Sequence, residues 1–547
     1  LEQQDLHKRL LLALVLSFFV LFGFSYLFPQ KGVPGEQNAT VAATQSSQIT
    51  ASSMANATKG APLTQSTGVA PAGNTGAKTP TTPTVAAKDV LTTITAENFI
   101  IKIDKFGRIA STTLLKEKYK NKEGGYLELF DPSKTLPLEV RFSDTVINTE
   151  AFQVAYTAST DKVALGDKPE TLILSQKLSG INVSKKITFY ADGHYDLDVT
   201  MDKPTEFFLT PGHRPEADHS MYMLVRGALV RDSEGILTSI EDGDAEKVEV
   251  IPSATIVSAF DRYDASLFYS FDKPMNATVS IDTEDNPLPF VKGTQALSLH
   301  GYVGPKDWKL FESIHPDLVN AIEFGWFTFL SKPFFKVMLW IHDFVGNWGW
   351  TIILFTLLVK LILFPLSYKG MMSMNKMRDL APKMKEIKEK YGKEPAKMNQ
   401  QMMGLYKKHG ANPMGGCLPM LLQVPVFFAF YRVLLNADEL QGAPWIAWIT
   451  NLADKDPIYV LPVLYGISMW FMQKVQPTTM TDPMQKKIMQ WFPVGLTFLF
   501  FTFPAGLVLY WLTNNLLSIG QQFYINAAYE KYKEKMKHLA KSEKRKD

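Results

Sequence analysis

Cysteine is almost missing from this chain: Cys417 is the only one in 547 residues. Intramolecular disulfides and metal centres built on cysteine clusters are therefore excluded. No cysteine lies near the first apolar run, so a lipoprotein anchor is excluded as well. Catalytic signatures are equally scarce. There is no His-Glu-x-x-His, no phosphate-binding loop and no serine elbow. No catalytic residue, metal ligand or cofactor is nominated. His194, His213 and His219 lack a ligand spacing and read as surface or hydrogen-bonded core histidines. The most informative absence is that of Asp and Glu from every long apolar run.

What is present divides into a polar first part and a very apolar second part. Residues 1–28 hold a short basic segment, Lys8-Arg9, and an uncharged run from Leu10 to Phe28, long enough to cross a bilayer. Phe28-Pro29-Gln30 is a poor cleavage site, so a retained anchor with its N-terminus inside is expected. Residues 29–88, rich in Ala, Thr, Ser, Gly and Pro, predict a disordered tether. Residues 89–309 switch to short alternating runs. Phe99, Ile101 and Ile103 share one face before the turn Asp104-Lys105-Phe106-Gly107. Ile187 and Phe189, then Tyr195, Leu197 and Val199, flank Ala191-Asp192-Gly193-His194 as a hairpin. This region predicts one large antiparallel all-β sandwich outside the membrane. Residues 310–345 interleave aromatics with charges and predict an amphipathic helix in the outer interface, interrupted by Pro333.

Spans are then expected at 346–368, 417–436 and 458–474, with an outer loop at 437–457 and an inner loop at 475–487. Residues 488–529 carry no charge over about twice the ~20 residues one span needs, so they predict a fifth and a sixth span. Phe503-Pro504-Ala505-Gly506 supplies the reversal between them. The segments 369–416 and 530–547 are strongly basic, and six spans place both inside, with both termini.

One cation, Lys360, sits within the second span. A lysine there costs about 2.5–3.5 kcal/mol on insertion scales, so it calls for water, a counter-charge or an anionic visitor. No acid in the spans supplies a fixed partner. Either the lysine snorkels to the nearer membrane face or it serves a wet groove. Thr356, Lys360 and Ser367 share a face; Gln423, Phe427 and Tyr431 share another. Trp511, Asn515, Ser518 and Gln522 recur at i, i+4, i+7 and i+11 on the last helix. Three such faces enclose a groove, or else make interhelical hydrogen bonds. Between the spans, 369–391 and 395–408 form a helical hairpin carrying Met371, Met374, Met377, Met384 and Met402. These methionines form either the seam of the hairpin or a surface that adapts to apolar partners. Its lysines face lipid phosphate or ribosomal RNA, or simply water. Nothing points to DNA.

Four stretches resemble the signatures of the YidC membrane-protein insertases, in their Gram-negative form: Phe344-Val345-Gly346-Asn347-Trp348-Gly349, Asn412-Pro413-Met414-Gly415-Gly416-Cys417-Leu418-Pro419, Thr481-Asp482-Pro483-Met484-Gln485 and Phe503-Pro504-Ala505-Gly506-Leu507-Val508-Leu509-Tyr510. The resemblance implies an α-helical insertase core of five spans plus an N-terminal anchor, a periplasmic β-supersandwich and an inner-membrane location. It implies a groove open to cytoplasm and lipid, nascent membrane proteins as clients, and the secretion translocon as a partner. Where the family commonly has arginine in its groove, this chain has Lys360, which keeps the charge but loses bidentate bonding. Thr356, Phe427 and Tyr510 match substrate-contact positions of the family. Trp511 stands where some relatives have tyrosine. Two other classes remain in view: a membrane-tethered carbohydrate-active sandwich, and a channel or transporter.

Overall fold

The computed structural model describes residues 89–120, 124–216, 226–392, 394–409, 418–476 and 483–543. The expected anchor, the tether, His219 and Cys417 lie outside these residues.

The first described region is β apart from a single 3-10 turn at Glu117–Tyr119 and a two-turn helix, α1 (Thr145–Ala151), capped by Asp144. A large antiparallel sheet of thirteen strands runs from Val140–Phe142 at one edge to Thr157–Ala158 at the other. Its centre is Glu249–Phe260, Asp264–Tyr269 and Ala296–Pro305. A second sheet of five strands packs on it through a core that includes Ile101, Ile103, Leu197 and Val199. The alternation read from sequence holds here: Phe99, Ile101 and Ile103 all point inward. Asn182–Phe189 and His194–Met201 pair as the expected hairpin. One pairing departs from the antiparallel expectation. Val90–Thr95 runs parallel to Lys162–Ala164, a strand reached only by a long crossover, which no local turn signal announces.

Helices follow. A short helix, α2 (Trp308–Ile314), leads to α3 (Thr328–Val345). Pro333 does not interrupt α3: the helix continues through it, although the proline cannot donate to the carbonyl four residues back. Phe329, Trp340 and Phe344 stand exposed on one side of α3, while Phe335 and Met338 are buried on the other. The first signature stretch now has a physical reading. Gly346 takes a left-handed conformation (φ 66°) and closes α3 through its N–H to His342 O at 2.7 Å. Asn347 then caps the next helix, accepting from Trp350 N at 3.2 Å. Its amide also donates to Pro444 O at 3.1 Å.

That helix, α4 (Trp348–Tyr391), has 44 residues. It joins the expected second span to the first arm of the hairpin without a break, although Pro365 and Pro382 lie within it. Among the described residues it is the one helix that is by itself long and apolar enough to cross a membrane. The hairpin's second arm is α5 (Pro395–His409); α6 (Leu418–Asn436), α7 (Val460–Val475), α8 (Pro483–Phe500) and α9 (Ala505–Glu543) complete the bundle. Their outer surfaces expose Leu361 and Ile362 on α4, Ile467 and Trp470 on α7, and Trp491 and Phe498 on α8. So much contiguous apolar surface suits lipid, not water. Gly466 lets α7 and α8 approach closely, since a Cβ there would stand within 2.0 Å of Thr497 Oγ1. Gly466→Val should destabilise the bundle by about 1–3 kcal/mol, read as a lower melting temperature in detergent.

The reversal before α9 is pinned from the loop between α6 and α7. Ala505 N donates to Asp454 O at 2.7 Å and Gly506 N to Leu452 O at 2.9 Å, which satisfies two of the free donors of the α9 N-terminus. The same loop seats the β domain. Lys118 Nζ and Tyr119 Oη reach Asp438 Oδ2 at 2.7 and 3.0 Å. Trp308 N donates to Glu439 Oε1 at 3.0 Å, and Arg262 Nε to Leu435 O at 2.6 Å. One hydrophobic cluster runs through this joint, from Tyr302 and Phe311 to Phe430 and Tyr510.

Buried carboxyls crowd the joint. Burial first, then Asp307 and Asp438, pushes Glu439 up to about 8. Burial raises Asp438 despite Lys118; burial first, then the neighbouring Asp438 and Asp261, raises Asp264, with Lys306 and Lys118 opposing. A carboxyl raised on folding contributes stability that is full below its unfolded pKa and lost as pH rises toward its folded value. The melting temperature of the purified protein should therefore fall as the pH rises from about 4.5 to about 8. Glu439→Gln should flatten that fall, because the amide still accepts from Trp308 N but cannot ionise.

Candidate functional site

A cleft opens among α4, α6 and α9, lined by Phe355, Thr356, Val359, Lys360, Leu363, Leu366, Ser367, Gln423, Val426, Phe430, Tyr510 and Asn514. Each helix contributes through its own period. On α4, Thr356, Lys360 and Leu363 recur at helical spacing, while Leu357, Leu358 and Leu361 take the exposed side. Thr356 is buried and returns its hydroxyl to Ile352 O at 2.6 Å, so its methyl and Oγ1 edge the cleft without an orphaned donor. Lys360 donates to Ser518 Oγ at 2.7 Å, and Ser518 in turn donates to Asn514 O at 2.8 Å. Among the described residues no carboxylate pairs with Lys360. The ammonium has three donors, and one hydroxyl occupies one of them. Snorkelling away from the bundle is not what the side chain does: it turns inward to α9.

Opposite, Gln423 Nε2 donates to Asn514 Oδ1 at 3.2 Å, joining α6 to α9 across the cleft. Phe427 lies beside the lining and not in it, stacked on Trp511 with ring centroids 5.8 Å apart. Tyr510 is buried against Phe430, centroids 4.5 Å apart, and lines the cleft. Trp511 belongs to an aromatic cluster with Phe500, Phe503 and Tyr465. Asn515 is turned elsewhere: its amide donates to Ser468 Oγ on α7 at 2.8 Å. The face of α9 that meets the cleft is therefore Tyr510, Asn514 and Ser518, rotated from the stripe of Trp511, Asn515, Ser518 and Gln522 expected from sequence. Two adjacent asparagines differ by about 100° around a helix, and only the packing of Ser468 and the aromatic cluster decides which one is taken out of the cleft.

The methionines also divide. Met377, Met384 and Met402 pack with Leu380, Leu405 and Tyr406 between α4 and α5, and form the seam of the hairpin. Met371 and Met374 stand outside that seam and half-buried. Sequence reasoning missed the clasp above it. Asn375 Nδ2 donates to Asn526 Oδ1 at 3.0 Å, Tyr529 Oη to Asp379 Oδ2 at 3.1 Å, and Lys533 Nζ lies 2.7 Å from the same oxygen. The inner extensions of α4 and α9 are thereby held together. Alternating polar residues in a basic stretch gave no signal that one asparagine and one aspartate were spoken for. Arg432, near the C-terminal end of α6, lies against Gly325 at the turn before α3. Of the histidines, His194 stacks on Tyr190 beside Asp192, and His213 is buried. Among the described residues no group of three or more His, Cys, Asp or Glu side chains is placed to hold a metal ion.

A helical bundle with an apolar exterior, a cation facing a cleft within it, and a β domain seated on one end fit an integral membrane protein. Residues 340–534 match the family described as 60Kd inner membrane protein, and residues 253–337 match the YidC periplasmic domain. The chain is 44% identical over 527 residues to a membrane protein insertase YidC of Campylobacter jejuni, covering 96% of both chains. It is 45% identical to that of Wolinella succinogenes over 97% of this chain and 96% of the relative. It is 41% identical to one from Helicobacter pylori, over 97% and 98% respectively. The chain belongs to the YidC family of membrane protein insertases. Its fold class is the one expected: a helical membrane core with a periplasmic all-β domain.

Proposed function

We propose that this protein inserts nascent membrane proteins into the inner membrane, acting alone or with the secretion translocon, through the groove around Lys360. The observation that carries the reading is a lysine in an apolar helix with no carboxylate partner among the described residues, turned into a cleft shared with Thr356, Gln423 and Tyr510. A client's polar outer tail must cross a hydrocarbon core of ~30 Å. A wet groove part-way through shortens that path, and Lys360 draws an acidic residue of the tail into it. Phe355, Phe430 and Tyr510, which line the cleft, give the following apolar segment an aromatic wall, with Phe427 and Trp511 stacked behind it, before it leaves into lipid, driven by its own transfer free energy. No bond is made or broken, so no cofactor is required.

Six spans with both termini in the cytoplasm fit the basic loops and tail. In that arrangement the hairpin and the tail meet the ribosome and lipid headgroups, with Met371 and Met374 available to clients and Met377, Met384 and Met402 committed to the seam. The test is insertion in liposomes holding only this purified protein. A client with a short acidic outer tail should become protected from external protease. Equal protection in protein-free liposomes would overturn the proposal.

A further inference from the structure

We propose that the loop between α6 and α7 is a lipid anchor, with Ile446 and Trp448 embedded in the periplasmic leaflet of the membrane. From Leu440 to Ala453 the loop carries no charge. Its tip is shaped to present apolar groups. Trp445 N donates to Ile449 O at 3.0 Å and Ile449 N to Ile446 O at 3.1 Å, closing a turn in which Ala447 takes a left-handed conformation (φ 52°). A residue with a Cβ adopts that conformation uncommonly. Here it buries Ile449 while leaving Ile446 47% and Trp448 39% exposed. The turn is also fastened on both sides. Asn347 Nδ2 donates to Pro444 O at 3.1 Å and to Trp445 O at 3.3 Å. Trp445 meets Trp350 edge to face, and a Cβ on Gly349 would stand within 2.0 Å of its ring. Trp448 turns its one polar atom inward, Nε1 donating to Asp456 Oδ1 at 3.0 Å.

The position of the tip says what covers it. Trp350 begins an exposed apolar stripe on α4 that continues through Leu354 to Leu361. Ile458, just past Asp456, begins another that continues on α7 through Val463 to Ile467. The tip is joined to the first stripe through Trp350 and to the second through Asp456, so the lipid-facing surface of the bundle runs on to it. The neighbouring acids are turned away. Asp438 and Asp456 are buried and bonded within the protein, the first to Lys118 and Tyr119, the second to Ile458 N and Leu461 N. An indole with a large apolar face and a single polar atom suits the membrane–water boundary, where such rings concentrate. Because the same loop pins the start of α9 and seats the β domain, the anchor fixes the height of both over the bilayer.

The test places one environment-sensitive fluorophore in the full-length protein, one copy per lipid nanodisc. Cys417→Ser removes the native thiol, and Ile446→Cys, at an exposed side chain, carries a nitrobenzoxadiazole label. Its emission should be blue-shifted, strongly quenched by a nitroxide near the headgroup end of the lipid acyl chain, and little affected by aqueous iodide. Ile467→Cys, midway along α7, should respond more to a nitroxide at the far end of the chain. Val146→Cys, exposed on α1, should respond to iodide alone. Iodide quenching at 446 equal to that at 146 would put the tip in water and overturn the proposal. Indifference to both quenchers would mean that protein covers the tip in place of lipid, and would overturn it equally.

Discussion

Lys360→Glu is expected to abolish insertion of clients with acidic outer tails, and Lys360→Ala to reduce it by an order of magnitude or more, while Lys360→Arg retains it. The reason is the state of the cleft. Lys360 is held by Ser518 at 2.7 Å and by no carboxylate among the described residues, so its charge is left for an incoming group. Glutamate reverses the sign of that attraction and repels the tail. Arginine keeps the charge and offers a second donor pair, at the cost of a wider head beside Ser518. The measurement is protease protection of the client at matched protein levels, with a client bearing a neutral tail as reference. A uniform loss for both clients would mean that the lysine holds the bundle together instead of attracting the tail.

The second large effect is expected at the joint between the periplasmic domain and the core. Arg262 is buried and donates to Leu435 O at 2.6 Å, close to the C-terminus of α6, where unsatisfied carbonyls gather. Removing it strands a buried acceptor, a loss of about 1–3 kcal/mol, and takes a cation away from the negative end of the helix dipole. Arg262→Ala should lower the melting temperature and make the chain susceptible to protease between the β domain and α3. Arg262→Lys should recover part of the stability. Normal melting with the same cleavage pattern would show that the hydrophobic cluster alone seats the domain. Because α6 also carries Gln423 and Phe427, a loosened joint should reach the groove as well.

How much of this was legible in the sequence differs from element to element. The strands around Ile101 and Leu197 were readable because a period of two with a Gly-containing turn admits little else. The helix junction at Gly346-Asn347 was visible as a signature, and its reason is local: a left-handed stop followed by an asparagine cap. Pro333 misled because a proline within a helix removes one hydrogen bond without ending the helix when tertiary packing holds both sides, as Phe335 and Met338 do here. The unbroken α4 was hidden for the same reason, with Pro365 and Pro382 inside it. Lys360 announced itself by its cost. Asn514 did not, because neighbouring asparagines are equivalent to a periodicity argument until Ser468 claims one of them. The seam methionines and the clasp of Asn375 and Asp379 on α9 depend on which helices lie side by side, which no local pattern encodes.

The central claim is that a client's polar tail occupies the cleft between α4, α6 and α9. A photoreactive residue at Val426, which lines that cleft without a polar role, tests it most directly against a ribosome-stalled client of defined length. The account predicts a crosslink to the client's outer tail at Val426, lost when the tail has passed and absent from a matched position on the exposed face of α8 at Phe498. Crosslinks of equal yield at both positions, or at Phe498 alone, would contradict it, because the client would then travel along the lipid-facing surface and not through the groove.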